Sequence, residues 1–221
     1  FENPDSGIRA PGSPLPISLF AFRRVVLTLV GMSFTSDAYG NPNPAFPPVI
    51  LNLLVANGMV FFFMTFFTAI AREPIFMHGA LWPLGVDLFR PWQLVTYGFI
   101  HGGFAHIFFN MLALWMFGRE IELRWGSKRF LTYYGVCVVG AGICQLGVAT
   151  AAFNAGGGPY PTVGASGGTY GILLAFGLLF PYRRIMLLFP PIPMEARYFV
   201  IVFGCLELFL GVSGLSPRVA H

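Results

Sequence analysis

The chain has 221 residues, of which 56% are hydrophobic and only 10% are charged, and its mean hydropathy is +0.70. A soluble domain normally carries about 25% charged residues, so the composition excludes an ordinary soluble domain and indicates an integral membrane protein. The net charge is only +4, and the basic residues cluster at the ends of apolar runs, which is typical of membrane topology rather than of a nucleic-acid surface.

Residues 1–48 are predicted to form an N-terminal extension, followed by a membrane domain at 49–221 that is incomplete at its C-terminus. The extension is rich in Pro, Gly, Ser and Asn, and its one apolar patch, Ile17 to Met32, is interrupted by Arg23 and Arg24. Because each arginine costs about 3 kcal/mol at the centre of a span on insertion scales, the patch predicts an interfacial helix. The sequence starts at Phe1 rather than at methionine, so we expect it to be a piece of a longer protein.

The rest of the chain predicts an all-α, polytopic bundle of membrane helices. Val49 to Ala71 is uncharged over 23 residues, which exceeds the roughly 20 that a bilayer requires. Gly156-Gly157-Gly158-Pro159 breaks a later uncharged run into two helices. The predicted spans are residues 49–71, about 101–118, 130–152, 166–180 and 198–214, with a truncated sixth span after Pro217.

The connections predict the orientation of the bundle. Residues 72–90 are too apolar for a solvated loop and are expected to be partly embedded in the interface, whereas 119–129 is expected to be a hydrophilic connection. The basic patches at 119–129 and 183–197 fall on one side if the third and fourth spans form a hairpin. The positive-inside rule places that side in the cytoplasm, so Ser166 would begin the fourth span from the external side.

His106 and Asn110 are four residues apart and therefore share one face of the second predicted helix. Both side chains can donate a hydrogen bond while neutral, which suits the stabilisation of an oxyanion in a low-dielectric site. Alternatively, they could hydrogen-bond neighbouring helices as packing contacts, as polar residues in membranes often do. A serine flanked by glycines on another span favours the chemical interpretation.

Ser166 lies in a Gly-x-Ser-x-Gly pattern with Gly164 and Gly168. The soluble form of this motif needs a preceding strand and a later Asp and His, and no strand pattern and no later Asp are present. A serine activated by a single histidine remains possible, helped by the helix N-terminus. The alternative is a small-residue packing face made of Gly164, Gly167, Gly168 and Gly171; the two interpretations are compatible.

Tyr170 lies one turn after Ser166 and is expected to face the same way, where it could pack against the histidine ring. A zinc site is not predicted, because His101 and His106 are five residues apart and no His-Glu-x-x-His pattern is present. The sequence therefore predicts neither a metal nor a cofactor.

Several motifs together resemble the rhomboid family of intramembrane serine proteases, over residues 48–221. They are His106-x-x-x-Asn110, Gly164-Ala-Ser-Gly167 with Tyr170, and the final Ala220-His221. The segments Arg90-Pro-Trp-Gln-Leu-Val-Thr-Tyr97 and Phe117-Gly-Arg-Glu-Ile-Glu122 are similar to bacterial members.

The resemblance implies a six-helix core and cleavage of transmembrane protein substrates within the lipid bilayer. Ser166 would be the nucleophile, and His106, Asn110 and the Ser166 backbone N–H would form the oxyanion hole. Gly164, Gly167, Tyr170 and His101 would line the site. A bacterial relative would lie in the inner membrane, with the site toward the periplasm.

The resemblance offers two positions for the catalytic base. The family's base belongs to Ala-His-x-x-Gly, and the sequence ends at Val219-Ala220-His221. Many bacterial relatives read Val-Ala-His-Phe-Ala-His-Leu-Gly-Gly, with the second histidine as the base. His221 is thus one candidate, and a histidine three residues later is favoured, so the 221 residues alone are not expected to cleave.

Two other classes of function can be compared with the sequence. A rhomboid-like fold could serve as a non-catalytic subunit, or as a binder of membrane helices, in a larger membrane complex. A transporter is not supported, because no pair of interrupted spans occupies corresponding halves.

Overall fold

In the computed structural model of the chain, the described residues are 45–186 and 192–213. The expectations for the interfacial helix at residues 17–32, for the sixth span and for His221 lie outside these residues. The predicted boundary between an extension and a membrane domain stays a prediction.

The described residues form a helical bundle with one small β-hairpin. The first helix, Pro48–Phe66, is followed by a π-helical turn at Thr68–Arg72, and the short helix Gln93–Thr96 continues as a 3₁₀ turn at Tyr97–Phe99. The helices are α1 (Pro48–Phe66), α2 (Glu73–Gly79), α3 (Gln93–Thr96), α4 (Phe104–Trp125), α5 (Ser127–Asn154), α6 (Ser166–Leu179) and α7 (Ala196–Ser213). Strands β1 (Arg184–Met186) and β2 (Pro193–Glu195) pair antiparallel.

The chain is an all-α membrane protein, as its sequence predicts. Helices α1 and α5 are long and apolar enough to cross a bilayer, and α3 with its 3₁₀ turn and α4 form a pair bent by 100° that would add a third span. Helix α6 has only 14 residues, fewer than the roughly 20 that a span needs. The fourth predicted span is thus a short helix that begins at Ser166, as expected.

The hydrophilic connection predicted at residues 119–129 is wrong in extent. Helix α4 continues to Trp125, and α5 begins at Ser127. Gly126, with φ +80°, is the single linking residue. The helix can extend through this polar segment because Glu120 remains partly exposed and pairs with Arg119, whereas Glu122 turns inward and is buried.

Helix α6 packs against α5 through glycines. A Cβ on Gly168 would overlap the Tyr134 ring, and a Cβ on Gly171 would overlap the Cys137 side chain. The small-residue face predicted from the sequence is therefore real at these positions, because only glycine permits such a close approach. On its other side α6 contacts α4, where the rings of Phe117 and Phe176 lie 5.0 Å apart.

The connections meet in two separate pairs, as the topology prediction requires. At one end, an Arg183 guanidinium nitrogen lies 3.7 Å from a Glu120 carboxylate oxygen, so the two basic patches meet. At the other end, Leu81 and Thr162 exchange backbone hydrogen bonds of 3.0 and 2.8 Å. The predicted common side for each pair of connections is thus confirmed.

Glu122 joins α4 to the start of α1. Its carboxylate accepts hydrogen bonds from the backbone N–H groups of Val49 (3.0 Å) and Ile50 (2.9 Å) and from the Ser127 hydroxyl (2.6 Å). The first N–H groups of a helix have no partner within the helix, and a carboxylate also favours the positive end of the helix dipole. Glu122, which is 2% exposed, therefore caps α1 from a neighbouring helix.

We expect Glu122→Gln to lower the free energy of unfolding by about 1–3 kcal/mol, because an amide has one acceptor oxygen and leaves a buried N–H without a partner. Denaturation followed by circular dichroism in micelles measures the change. Glu120→Gln is the matched control: it removes ion pairs that are partly exposed, so about 0–1 kcal/mol is expected. Equal losses in the two variants would contradict the capping role.

Candidate active site

Ser166 is the first residue of α6, and the loop before it is held in place by backbone contacts. The Gly164 N–H donates to the Tyr97 carbonyl at 3.0 Å. Gly164 has φ +120°, a backbone conformation that residues other than glycine rarely adopt. Thr162 pairs with Leu81, so the residues that lead into the serine are fixed to two earlier segments of the chain.

His106 and Asn110 lie in the first two turns of α4. Asn110 is 8% exposed, and its Nδ2 donates to the His106 carbonyl at 2.9 Å. Helix α4 begins directly after Gly103. Both side chains therefore lie near the start of α4, at the end of the bundle where Ser166 begins α6. Their shared helix face, predicted from the four-residue spacing, follows from this helix.

The structure brings Ser166 and His106 to the same small space beside Gly164. A Cβ added to Gly164 would lie 2.7 Å from both Cε1 and Nε2 of His106 and 3.7 Å from the Ser166 Oγ. A side chain at this position would fill the space between the serine hydroxyl and the imidazole. The glycine is therefore required both by its backbone conformation and by the approach of the histidine ring.

Asn110 is joined to the same helix through Thr169. The Thr169 Oγ1 lies 3.1 Å from the Asn110 Oδ1 and 2.9 Å from the Ser166 carbonyl oxygen. Thr169 is 7% exposed. Ser166, His106 and Asn110, which the sequence predicted as one group, are thus gathered at one end of the contact between α4 and α6.

His101 packs behind this group. It is 4% exposed, its Nε2 accepts a long hydrogen bond of 3.4 Å from the Ala165 N–H, and its ring centroid lies 5.0 Å from that of His106. Its Nδ1 is buried and has no hydrogen-bond partner within residues 45–186 and 192–213. His101 therefore contacts both the serine loop and the histidine of α4.

Gly167 and Tyr170, the other predicted lining residues, face neighbouring helices. A Cβ on Gly167 would overlap the Ala141 Cβ of α5 and would lie 3.2 Å from the Tyr97 hydroxyl. The Tyr170 ring is half-buried and lies 6.5 Å from the Phe203 ring of α7. The contacts of Gly167 are packing contacts, and a lining role for either residue stays a prediction.

Two residues of this region were not singled out from the sequence. Thr169 is a polar residue one turn after Ser166 in an apolar helix, a pattern that could have been noticed. Tyr97 donates its hydroxyl to the Val138 carbonyl at 2.7 Å and accepts the Gly164 N–H through its own carbonyl. Its partners are far away in sequence, so spacing could not identify it.

The connection between α1 and α4 is ordered around a buried glutamine. Gln93 is fully buried; its Oε1 accepts from the N–H groups of Trp82 (3.3 Å) and Arg90 (3.2 Å), and its Nε2 donates to the Leu88 carbonyl at 2.8 Å. Trp92 is 53% exposed on the outside. The exposed Trp92 indole, next to the buried Gln93 network, supports the predicted position of this connection at the membrane interface.

The Rhomboid domain family model matches residues 88–221, which is more than half of the chain. The chain belongs to the rhomboid family. The matched part of this rhomboid contains α4, α6 and the described part of α7, and therefore all of the residues gathered around Ser166.

The named relatives include proteases. Rhomboid protease GluP of Bacillus subtilis (strain 168) is 43% identical over 82 residues, which cover 37% of this chain and 14% of that protein. Rhomboid protein 1, mitochondrial, of Saccharomyces cerevisiae is 34% identical over 101 residues, covering 46% and 29% of the two chains. The putative rhomboid protease YdcA of B. subtilis (strain 168) is 27% identical over 141 residues, covering 62% and 65%.

The matched stretches of this rhomboid thus span less than a third of the first two relatives. Because relatives occur in both a bacterium and a mitochondrion, membership of the rhomboid family is secure while the predicted bacterial type is only loosely supported.

Proposed function

We propose that the chain is an intramembrane serine endopeptidase in which Ser166 is the nucleophile. The observation that carries the proposal is the position of the Ser166 hydroxyl and the His106 imidazole on either side of Gly164. His106, Asn110 and the Ser166 backbone N–H supply the donors of the oxyanion hole. Such donors act strongly where water is excluded, because they are already oriented toward the charge that develops.

In the proposed reaction, the Ser166 Oγ attacks the carbonyl carbon of a substrate peptide bond. The hydroxyl proton passes to a histidine and then to the leaving amine, and water subsequently hydrolyses the acyl-enzyme. We assign the base to a histidine of the segment that follows α7, with His221 as the candidate in this sequence. Ser166 starts a helix, so the unpaired N–H groups and the dipole of α6 favour the negative charge of the intermediate.

The length of α6 supports a serine that lies within the membrane. Fourteen residues rise about 21 Å at 1.5 Å per residue, whereas the hydrocarbon core is about 30 Å thick. A helix that ends near the basic face of the bundle therefore begins below the opposite face. The preceding loop, paired with Leu81, leads into this helix start.

The proposed substrates are transmembrane proteins, since a hydroxyl at this depth is reached from the bilayer. The basic end of the bundle, where Arg183 meets Glu120, would face the cytoplasm or an equivalent compartment by the positive-inside rule. The site would then open toward the opposite side, which is the periplasm if the membrane is a bacterial inner membrane.

The non-catalytic alternative, a rhomboid-like subunit or helix binder in a larger complex, is not favoured. The relatives include proteins that are named as rhomboid proteases. The contacts that link Ser166 with His106 and Asn110 also support the catalytic proposal, since a scaffold would not need them.

Labelling by a fluorophosphonate tests the proposal directly. We expect the full-length protein to react at Ser166, because the activated Ser166 Oγ attacks phosphorus, loses its proton to the base and displaces fluoride, which leaves the phosphonyl oxygen in the oxyanion hole. Ser166→Ala should abolish labelling. Thr132→Ala, which removes an exposed hydroxyl on α5, should label like the wild type. Equal absence of labelling in the wild type and in Ser166→Ala would support the non-catalytic alternative.

A further inference from the structure

We propose that Thr169 is a positioning residue that fixes the side-chain amide of Asn110 for oxyanion binding. This inference rests on the proposed function. Its starting observation is that the Thr169 Oγ1 lies 3.1 Å from the Asn110 Oδ1. The contact joins α6, which begins with the nucleophile, to α4, which carries the proposed oxyanion donors.

The hydrogen bonds of Asn110 determine which way its amide points. Its Nδ2 donates to the His106 carbonyl at 2.9 Å, and its Oδ1 faces the Thr169 hydroxyl. In the flipped amide, the Oδ1 would instead face the His106 carbonyl oxygen, and two acceptors in contact repel. A primary amide nitrogen carries two hydrogens, so one N–H is used by the helix and the other is held in a fixed direction.

The Thr169 hydroxyl has one hydrogen and two acceptors within reach, the Asn110 Oδ1 and the Ser166 carbonyl at 2.9 Å. The Ser166 carbonyl is in the first turn of α6 and is placed to accept the backbone N–H four residues later. The Asn110 oxygen has no such backbone donor in its own helix. The hydroxyl hydrogen is therefore needed more by Asn110, and losing it would leave a buried acceptor without a partner.

Burial makes this contact consequential. Asn110 and Thr169 are 8% and 7% exposed, so water has little access to replace the hydroxyl. Without it, the amide plane of Asn110 could rotate, and the second N–H would lose its direction. A donor that must reorient during the reaction stabilises the intermediate less than a preorganised one.

The decisive variant is Thr169→Val, which keeps the shape of the side chain and removes the hydroxyl. In the full-length protein with a model transmembrane substrate, we expect kcat to fall about tenfold with KM unchanged, less than the roughly 10² to 10³ lost with an oxyanion donor itself. Thr169→Ser, which keeps the hydroxyl, should have the kcat of the wild type. Thr169→Val should add no further loss to Asn110→Ala, since the two residues act through one group.

Three outcomes would overturn the inference: wild-type kcat in Thr169→Val, a loss in Thr169→Ser as large as in Thr169→Val, or losses that multiply in the double variant. A second measurement does not depend on activity. The Asn110 side-chain amide signals, identified by their absence in Asn110→Ala, should exchange with deuterium about tenfold faster in Thr169→Val. Equal exchange rates would refute the positioning role, whereas failure of Ser166 to label with a fluorophosphonate would refute the proposed function instead.

Discussion

A Ser166→Ala variant of the full-length protein is expected to cleave a model transmembrane substrate at least about 10⁴-fold more slowly than the wild type, since removing the nucleophile from a serine protease abolishes covalent catalysis. The remaining donors could still polarise the carbonyl but could not form the acyl-enzyme. The initial rate of product formation in proteoliposomes, measured by gel densitometry, provides the comparison.

Two controls make this result specific to the hydroxyl. Ser166→Ala should leave the free energy of unfolding within about 1 kcal/mol of the wild type, because it removes only one half-buried oxygen. Thr132→Ala removes a comparable hydroxyl from an exposed position of α5 and should cleave at the wild-type rate. Undiminished cleavage by Ser166→Ala would show that another group attacks the substrate.

Gly164→Ala is expected to lower kcat about 10²-fold, because small displacements of reacting groups are this costly in an active site. The new Cβ would lie 2.7 Å from two atoms of the His106 ring, so the ring must move away from Ser166. The backbone is also strained, since an alanine at φ +120° leaves the allowed regions at a cost of about 1–3 kcal/mol. Steady-state kinetics and thermal unfolding together measure both effects.

Gly158→Ala is the matched control for this prediction. Gly158 lies in the same connection between α5 and α6, its φ is not positive, and a Cβ there would meet no heavy atom within 4 Å. We expect wild-type kcat and stability for this variant. Comparable losses in both glycine variants would mean that the loop tolerates no change, rather than that the Gly164 position shapes the site.

The fold was largely predictable because apolar runs and their breakers are local signals. Glycine and proline predict the start of α6 at Ser166 and the break after Asn154, and the shared end of the basic patches follows from a hairpin of the third and fourth predicted spans. The face shared by His106 and Asn110 follows from helical periodicity. Periodicity acts only within one helix, so assigning His106 and Asn110 to one site with Ser166 required the motifs of both helices together.

The parts that the sequence did not reveal depend on contacts between distant segments. Helix α4 can continue to Trp125 because the Glu122 side chain turns inward. Its carboxylate accepts hydrogen bonds from Val49 and Ile50, which are more than 70 residues earlier in the sequence. The buried network of Gln93 and the contact of Thr169 with Asn110 are likewise tertiary. The hairpin of β1 and β2 gives no alternating pattern, because each strand has three residues.

The close contact between α5 and α6 has a consequence for how a substrate is received. Tyr134 and Cys137 lie so close to the backbone of α6 that a Cβ would not fit at Gly168 or Gly171. A protein interior packed in this way resists deformation. In the proposed reaction, we therefore expect the substrate rather than this helix contact to change conformation, so that segments which unwind readily near the scissile bond are cleaved preferentially.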